Sequence, residues 1–359
     1  MLNIYKRKDG RYEGRFSDGL KANGKTKYHS VYGHSYEEVE KKLKLAHTNQ
    51  VDYSQKTSLT VQFLFQEWIH ALSSRVKEST IANYCMKAKK HILPVFGNLC
   101  YEAVDSHQVH IFIAKKLENG LSARYVSDII VLLKSIFKYA SRIYNLYNPL
   151  VNVIMPKKKK TEITLLNSYQ QKQLQTYLQN NQTLTTLGVA ISMYTGLRVG
   201  ELCALQWKDI DLEKRTLAVN HTIQRIQNLH GNTKTTLIIT EPKSITSQRT
   251  IPIPDCLLNI LKNFKSLSNK YVLSGTERPI EPRTMQYRFA AILKRVNLPS
   301  VHFHALRHMF ATNCIILGFD AKSLSEILGH SSVEITLNRY VHSSMEHKKE
   351  FMKRFSFAA

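Results

Sequence analysis

Four separated stretches in the second half of the chain gather residue types suited to phosphate chemistry. The first, Thr195-Gly196-Leu197-Arg198-Val199-Gly200-Glu201-Leu202, presents Arg198 on a glycine-bracketed turn ahead of a helix that continues through Leu205 and Trp207. The second, Glu241-Pro242-Lys243-Ser244, is expected at the tip of a hairpin that closes with Arg249-Thr250-Ile251-Pro252. In the third, His302-Phe303-His304-Ala305-Leu306-Arg307-His308, His304 and Arg307 stand three apart and share a face if helical. The last is Leu328-Gly329-His330-Ser331-Ser332, followed by Thr336-Leu337-Asn338-Arg339-Tyr340.

Breaking a phosphodiester without a metal requires charge neutralisation on the non-bridging oxygens, and two fork-shaped, permanently charged guanidiniums supply it. Arg198 and Arg307 fit that task. A tyrosine hydroxyl, with an ordinary pKa of about 10, needs a proton acceptor and a positive field to act as a nucleophile near neutrality. His304 suits the acceptor and Tyr340 the nucleophile. The leaving alkoxide needs a proton, which a lysine ammonium such as Lys243 can give. His330 is expected to hydrogen-bond the phosphate. Lys234 and Arg249 are the other cations of the Lys243 stretch. Glu201 reads as a partner that orients an arginine, and His308 as a buried support. A zinc reading of His304 and His308, spaced i and i+4, is disfavoured: no Glu lies between them, and Arg307 would repel the cation.

Three blocks must position these residues. In the first fifty, Arg11–Phe16 and Lys25–Tyr32 alternate in side-chain class between glycine turns, and Ser35 with Glu38 forms a capping box that opens a helix to about Thr48. The small sheet is basic and rich in aromatics, so it suits a DNA groove as well as a solvated edge. From Ser58 the texture is helical: a helix after a Thr60 cap, then Glu78 to about Leu93 ending at Pro94 and Gly97, Ser106–Leu117, and Ser122–Tyr144. Met155-Pro156-Lys157-Lys158-Lys159-Lys160 reads as an exposed linker. Beyond it, Asn167 caps a helix to about Gln179, and Leu184–Tyr194 forms another. The stretches 216–219, 237–240 and 250–253 then fit one short antiparallel sheet before helices resume. The expected fold is multidomain and mainly α with small β-sheets: a three-stranded N-terminal sheet plus helix (1–50), an all-α bundle (58–155) and a mixed α+β unit (163–359).

Charge points the same way as the polar stretches. Fifty-one Lys and Arg against 27 Asp and Glu leave +24 over 359 residues, while 43% hydrophobic content supplies ordinary cores. Such an excess implies a polyanionic partner, and steep salt dependence of binding. Candidate phosphate contacts are Lys6, Arg7, Arg11, Arg15, Lys25, Lys27, Lys87, Lys90, Lys157 and Lys158. No apolar run approaches a membrane span, and no apolar signal region follows Lys6, Arg7 and Lys8, so a cytoplasmic protein without membrane partners is expected. Cys85, Cys100, Cys203, Cys256 and Cys314 are odd in number and scattered, reading as reduced core residues.

The ordered set Arg198, Lys243, His304-x-x-Arg307, His330, Tyr340, with the words TGLRVGELCALQW, HALRHMFAT and LGHSSVEITLNRY, resembles the tyrosine recombinases, which include phage and conjugative-transposon integrases. The resemblance spans essentially the whole chain. It implies an arm-site-binding domain (1–50), a core-binding domain (58–155) and a catalytic domain, with Tyr340 becoming linked to a DNA 3′ phosphate. It further implies no metal or other cofactor, and double-stranded core and arm sites as substrate. A tetramer joined by exchange of a C-terminal tail carrying Met345, Phe351 and Phe355 follows as well, as do an excisionase and a host DNA-bending protein as accessory partners, in a bacterial cell where the protein on DNA is nucleoid-associated. Residues 1–50 favour a mobile element's integrase over a chromosome-dimer resolvase. The competing reading from another class is a DNA-binding accessory protein that kept the scaffold without the chemistry.

Overall fold

A computed structural model describes residues 3–7, 9–20, 26–49, 59–157, 164–228, 233–242, 245–264, 269–340 and 352. Two compact units divide the chain: 1–75 with 87–157, and 76–86 with 158–359.

The first unit opens with strands β1 (Asn3–Lys6), β2 (Tyr12–Leu20) and β3 (Thr26–Gly33) in an antiparallel sheet of order β1-β2-β3, followed by α1 (Tyr36–Asn49). Gly14 makes room for that helix, since a Cβ there would lie 2.5 Å from Leu43 and 2.7 Å from Val39. The cap of α1 differs slightly from expectation: Ser35 Oγ accepts the Glu38 N–H at 3.1 Å, but the Glu38 carboxylate takes the N–H of His34 rather than that of Ser35.

On the other face of the sheet Tyr5, Glu13 and Tyr32 stand opposite one another. Glu13 is buried there, 1% exposed. It accepts Arg7 (2.7 Å), Arg15 (2.8 Å) and Ser30 (2.8 Å). The Arg15 hydrogen bond, joined by those of Ser30 and Tyr5, outweighs desolvation and lowers its pKa from 4.5 to about 2. A depressed carboxylate contributes stability that is present above the unfolded value and lost as pH falls through the folded one. Melting of residues 1–49, followed by NMR from pH 5 to pH 2, should therefore show an acid-induced loss between about 4.5 and 2 that Glu13→Gln abolishes.

The helical part of this unit comprises α2 (Val61–Leu72), α4 (Leu93–Phe96), α5 (Ser106–Glu118) and α6 (Ala123–Ile143), while α3 (Glu78–Lys87) groups, all but Lys87, with the second unit. Thr60 caps α2 through Phe63 N–H at 3.3 Å. In α6, Val126, Ile129, Ile130, Leu133, Ile136, Phe137 and Ala140 are buried at helical spacing, and Phe137 stacks on Tyr101 at 4.8 Å. The helix expected to end at Pro94 and Gly97 runs on through Pro94 and ends at Phe96, with Gly97 as its C-cap. A π turn over Ala88–Ile92 widens the helix, Leu93 N–H reaching back five residues to Ala88, and Pro94 sits in the first turn of α4, where its missing N–H costs little.

The second unit holds α7 (Ser168–Asn180), α8 (Leu184–Thr195), α9 (Val199–Ala204), β4 (Ile210–Asp211), β5 (Thr216–Val219), β6 (Thr222–Gln227), β7 (Thr235–Thr240), β8 (Arg249–Pro252), α10 (Asp255–Lys262), α11 (Pro282–Arg295), α12 (His304–Ile316), α13 (Ala321–Leu328) and α14 (Val333–Tyr340). Helix α8 is apolar on nearly all sides and buried accordingly, with α10, α11 and α12 contributing the rest of the core. Among the described residues the strands form two sheets rather than one: β5 lies between β4 and β8, while β6 pairs with β7. The β6–β7 register runs from Thr222 opposite Thr240 to Gln227 opposite Thr235. β7 and β8, which flank the segment expected to form a hairpin tip at Lys243, lie in different sheets; Lys243 and Ser244 themselves are outside the described residues. Cys85, Cys203 and Cys314 are buried as expected; Cys100 and Cys256 are exposed and do not belong to the core.

Helix α8 ends at Gly196, which adopts φ +66°. A Cβ there would meet Phe310 at 2.6 Å and Leu328 at 2.9 Å. Left-handed backbone costs roughly 1 kcal/mol for a residue with a Cβ, and overpacking about 1–3 kcal/mol more, so Gly196→Ala should destabilise by about 2–4 kcal/mol in denaturant melts.

Candidate active site

The turn from α8 into α9 delivers Arg198 as the residue preceding the first helical turn. Its backbone N–H and its Nη1 both bond Glu201, at 3.0 and 2.6 Å, and Nη2 reaches the Gly329 carbonyl at 3.1 Å. The Arg198 side chain is 38% exposed, whereas that of Glu201 is 4% exposed. Glu201 also receives Arg249 Nη2 at 2.9 Å. Burial alone would raise the Glu201 pKa, but Arg249 and Arg198 outweigh it and hold the carboxyl below its ordinary range.

Arg307, on α12, is 2% exposed. Its Nη1 donates to Gly196 O at 2.9 Å and its Nη2 to Leu328 O at 2.7 Å. His304 begins the same helix but is exposed, its ring packed edge-on against that of buried His308 at 4.8 Å. His302 precedes the helix and is exposed. Among the described residues no cluster of three or more His, Cys, Asp or Glu is arranged to hold a metal.

The C-terminal end of α13 collects the arginines. Three successive carbonyls, Ile327, Leu328 and Gly329, accept Arg249 Nε (2.6 Å), Arg307 Nη2 (2.7 Å) and Arg198 Nη2 (3.1 Å) respectively. These are the carbonyls a helix terminus leaves unpaired, at the negative end of its dipole. Gly329 closes the helix at φ +64°. His330 follows, 8% exposed, its N–H on Ser325 O (3.0 Å) and its Nδ1 2.8 Å from Thr336 Oγ1. Thr336 lies in α14, and Tyr340 is one turn further along, at the last position of that helix. The Tyr340 side chain and all of Lys243 lie outside the described residues, as do Met345, Phe351 and Phe355. Near Lys243, Lys77 Nζ donates to the carbonyls of Glu241 (3.0 Å) and Pro242 (3.1 Å) within the second unit.

The structure thus brings Arg198, Glu201, Arg307 and His330 together around one helix end, with His304 on the surface of α12. Sequence reasoning missed Arg249 as the third arginine of this cluster, and Thr336 as the hydroxyl that holds His330. The signal for Arg249 was a cation heading a strand whose Ile251 enters the core; for Thr336, it was the spacing of four to Tyr340.

The candidate phosphate contacts divide. In the sheet Arg7 and Arg15 pair with Glu13, and Arg11 with Asp9 at 2.8 Å. Arg7 and Arg11 lie over Tyr32, Arg15 over Tyr5 and Lys6 over Tyr12. Lys90 and Lys157 are exposed, while Lys87 is mostly covered, 3.4 Å from Asp128 and over Tyr125. That leaves Lys87 poorly placed for DNA. Lys25, Lys158 and the side chain of Lys27 lie outside the described residues.

The sequence profile of the phage integrase family matches residues 159–347, and that of the phage integrase N-terminal SAM-like domain matches residues 60–115. The chain belongs to the phage integrase family of tyrosine-type site-specific recombinases. A "Tyrosine recombinase XerC-like" protein of Caldanaerobacter subterraneus subsp. tengcongensis is 28% identical, over 90% of each chain. The integrase of Staphylococcus phage L54a is also 28% identical, over 88% of this chain and 98% of its own. Among solved structures, the Tn1549 transposon integrase in complex with a circular intermediate DNA has a TM-score of 0.69 at 23% identity, covering 83% of this chain and all of that one. Among the described residues no helix is long and apolar enough to cross a membrane.

Proposed function

We propose that this protein is the integrase of a mobile element, cutting and rejoining DNA through a covalent 3′-phosphotyrosyl bond to Tyr340. The observation that carries this reading is the convergence of Arg198, Arg307 and His330 at one helix end, followed directly by the helix that bears Tyr340. Arg198, partly exposed and braced by Glu201, takes the non-bridging oxygens of the scissile phosphate together with Arg307. A Thr336 hydroxyl donating to His330 Nδ1 leaves the ring proton on Nε2, the tautomer that can donate to a phosphate oxygen. His304 accepts the Tyr340 proton as Oη attacks phosphorus. The bond to the 5′ oxygen breaks, and Lys243 protonates that oxygen as it leaves. Attack by another strand's 5′ hydroxyl reverses these steps and releases Tyr340.

Recombining two duplexes cuts four strands, and each chain supplies one Tyr340, so a tetramer with tails exchanged between protomers is the assembly that fits. Residues 1–50 read arm sites and 58–155 core sites, while 163–359 perform the chemistry. Residence in the bacterial cytoplasm, and accessory roles for an excisionase and a DNA-bending protein, belong to the same reading. Deleting residues 1–50 should weaken arm-site binding about tenfold or more through lost phosphate contacts, in gel shifts, with core-site cleavage little changed.

The test is trapping on a nicked suicide substrate in EDTA, with the adduct mapped by mass spectrometry. A covalent adduct on the peptide containing Tyr340 supports the reading. No adduct, an adduct elsewhere, or cleavage abolished by EDTA would sink it.

A further inference from the structure

The reaction proposed above leaves Arg249 without a task, yet its side chain is only 5% exposed and its three nitrogens are all committed within the protein. Nε donates to Ile327 O at 2.6 Å, Nη1 to Ser247 O at 3.0 Å, and Nη2 to Glu201 Oε2 at 2.9 Å. A guanidinium this buried is expensive to desolvate and badly placed to touch DNA. What it touches is the carboxylate that orients Arg198. Two arginines and one glutamate carry a net charge of +1. Without Arg249, Glu201 and Arg198 would form a neutral pair at 2.6 Å, and the field that Arg198 offers an approaching phosphate would be largely cancelled.

We propose that Arg249 is a positioning residue for strand cleavage: it is the standing counter-charge of Glu201, so that Glu201 can orient Arg198 without cancelling its charge toward the scissile phosphate. The same guanidinium joins the segment that follows Lys243, through Ser247, to the helix end that precedes His330, through Ile327. Gly329 is the neighbour that permits this, since a Cβ there would lie 3.0 Å from Arg249 Nη1. The inference rests on Arg198 being a ligand of the scissile phosphate.

The test uses the full-length protein and suicide substrates with either the natural phosphodiester or a methylphosphonate at the scissile position. The methylphosphonate has no negative charge to neutralise, so it reports on the electrostatic contribution alone. Arg249→Met should slow adduct formation at least about 30-fold on the phosphodiester, below the roughly 10² to 10³ of a direct donor, and no more than about threefold on the methylphosphonate. Adding Glu201→Gln to Arg249→Met removes the surplus negative charge and should restore at least about tenfold of the lost rate. Arg249→Lys keeps the charge; its loss should stay below about fivefold, and it carries the test if the methionine variant does not fold. Equal losses on both substrates, no recovery in the double variant, a large loss in the lysine variant, or wild-type rates in Arg249→Met each overturn the proposal. Wild-type protein that forms no adduct on either substrate overturns the functional reading itself, and this inference with it.

Discussion

Tyr340→Phe is expected to bind core-site DNA as tightly as the wild type and to form no covalent adduct, a loss of at least about four orders of magnitude in cleavage, as removal of a nucleophile costs other covalent catalysts. The change deletes one oxygen at the last position of α14 and no charge. Affinity for DNA comes from many phosphate contacts spread over a chain of net charge +24, so it does not depend on that oxygen. Near pH 7 only about one tyrosine in a thousand is ionised at an ordinary pKa of 10, so the wild-type rate depends on a positive field and a proton acceptor close to the hydroxyl. Cleavage by the phenylalanine variant at a measurable fraction of the wild-type rate would mean that another group attacks the phosphate. Unchanged gel-shift affinity and unchanged thermal melting would show that only the chemistry had been removed.

Arg307→Ala should fail in two ways at once, and the pair of effects separates it from Arg198→Ala. Arg307 is buried and bridges Gly196 O and Leu328 O, two carbonyls that are distant in sequence. Truncation leaves both without that donor, at about 1–3 kcal/mol each, and the second unit should melt roughly 4–20 °C lower. Loss of a charged donor to the phosphate should lower single-turnover cleavage by on the order of 10² to 10³ or more. Arg307→Lys returns the charge but cannot fork between two carbonyls, so it should recover some stability and little activity. Arg198 is partly exposed, and its alanine variant should lose comparable activity with a much smaller fall in melting temperature. An Arg307→Ala protein of wild-type stability would contradict the bridging geometry; one of wild-type activity would contradict its role at the phosphate.

Local signals made most helices legible. Thr60 and Asn167 each accept the backbone N–H three residues on, and the helices that follow begin where those caps place them. Pro94 is different: a π turn ahead of it changes the hydrogen-bonding reach of the backbone, which periodicity alone does not encode, so the helix continues to Gly97. The stretches 216–219, 237–240 and 250–253 do not share the one sheet that their alternation suggests. Alternation identifies a strand but not its partner, and here β7 pairs with β6 while β8 pairs with β5. Lys243, expected at a hairpin tip, lies outside the described residues, between strands that belong to different sheets.

The sequence by itself determined which residues are available for the chemistry, because two arginines, a lysine, histidines and a tyrosine in that order, each inside a characteristic flanking word, define a reaction by their functional groups. It also determined the basic charge that draws the chain to a polyanion. Only the tertiary structure decided what holds the arginines in place. Three guanidiniums from three distant segments converge on consecutive carbonyls at the end of α13, and Glu201 lies between two of them. Those acceptors are backbone atoms, identical in every residue, and which of them a helix end leaves unpaired and turns toward a particular side chain is fixed by packing alone.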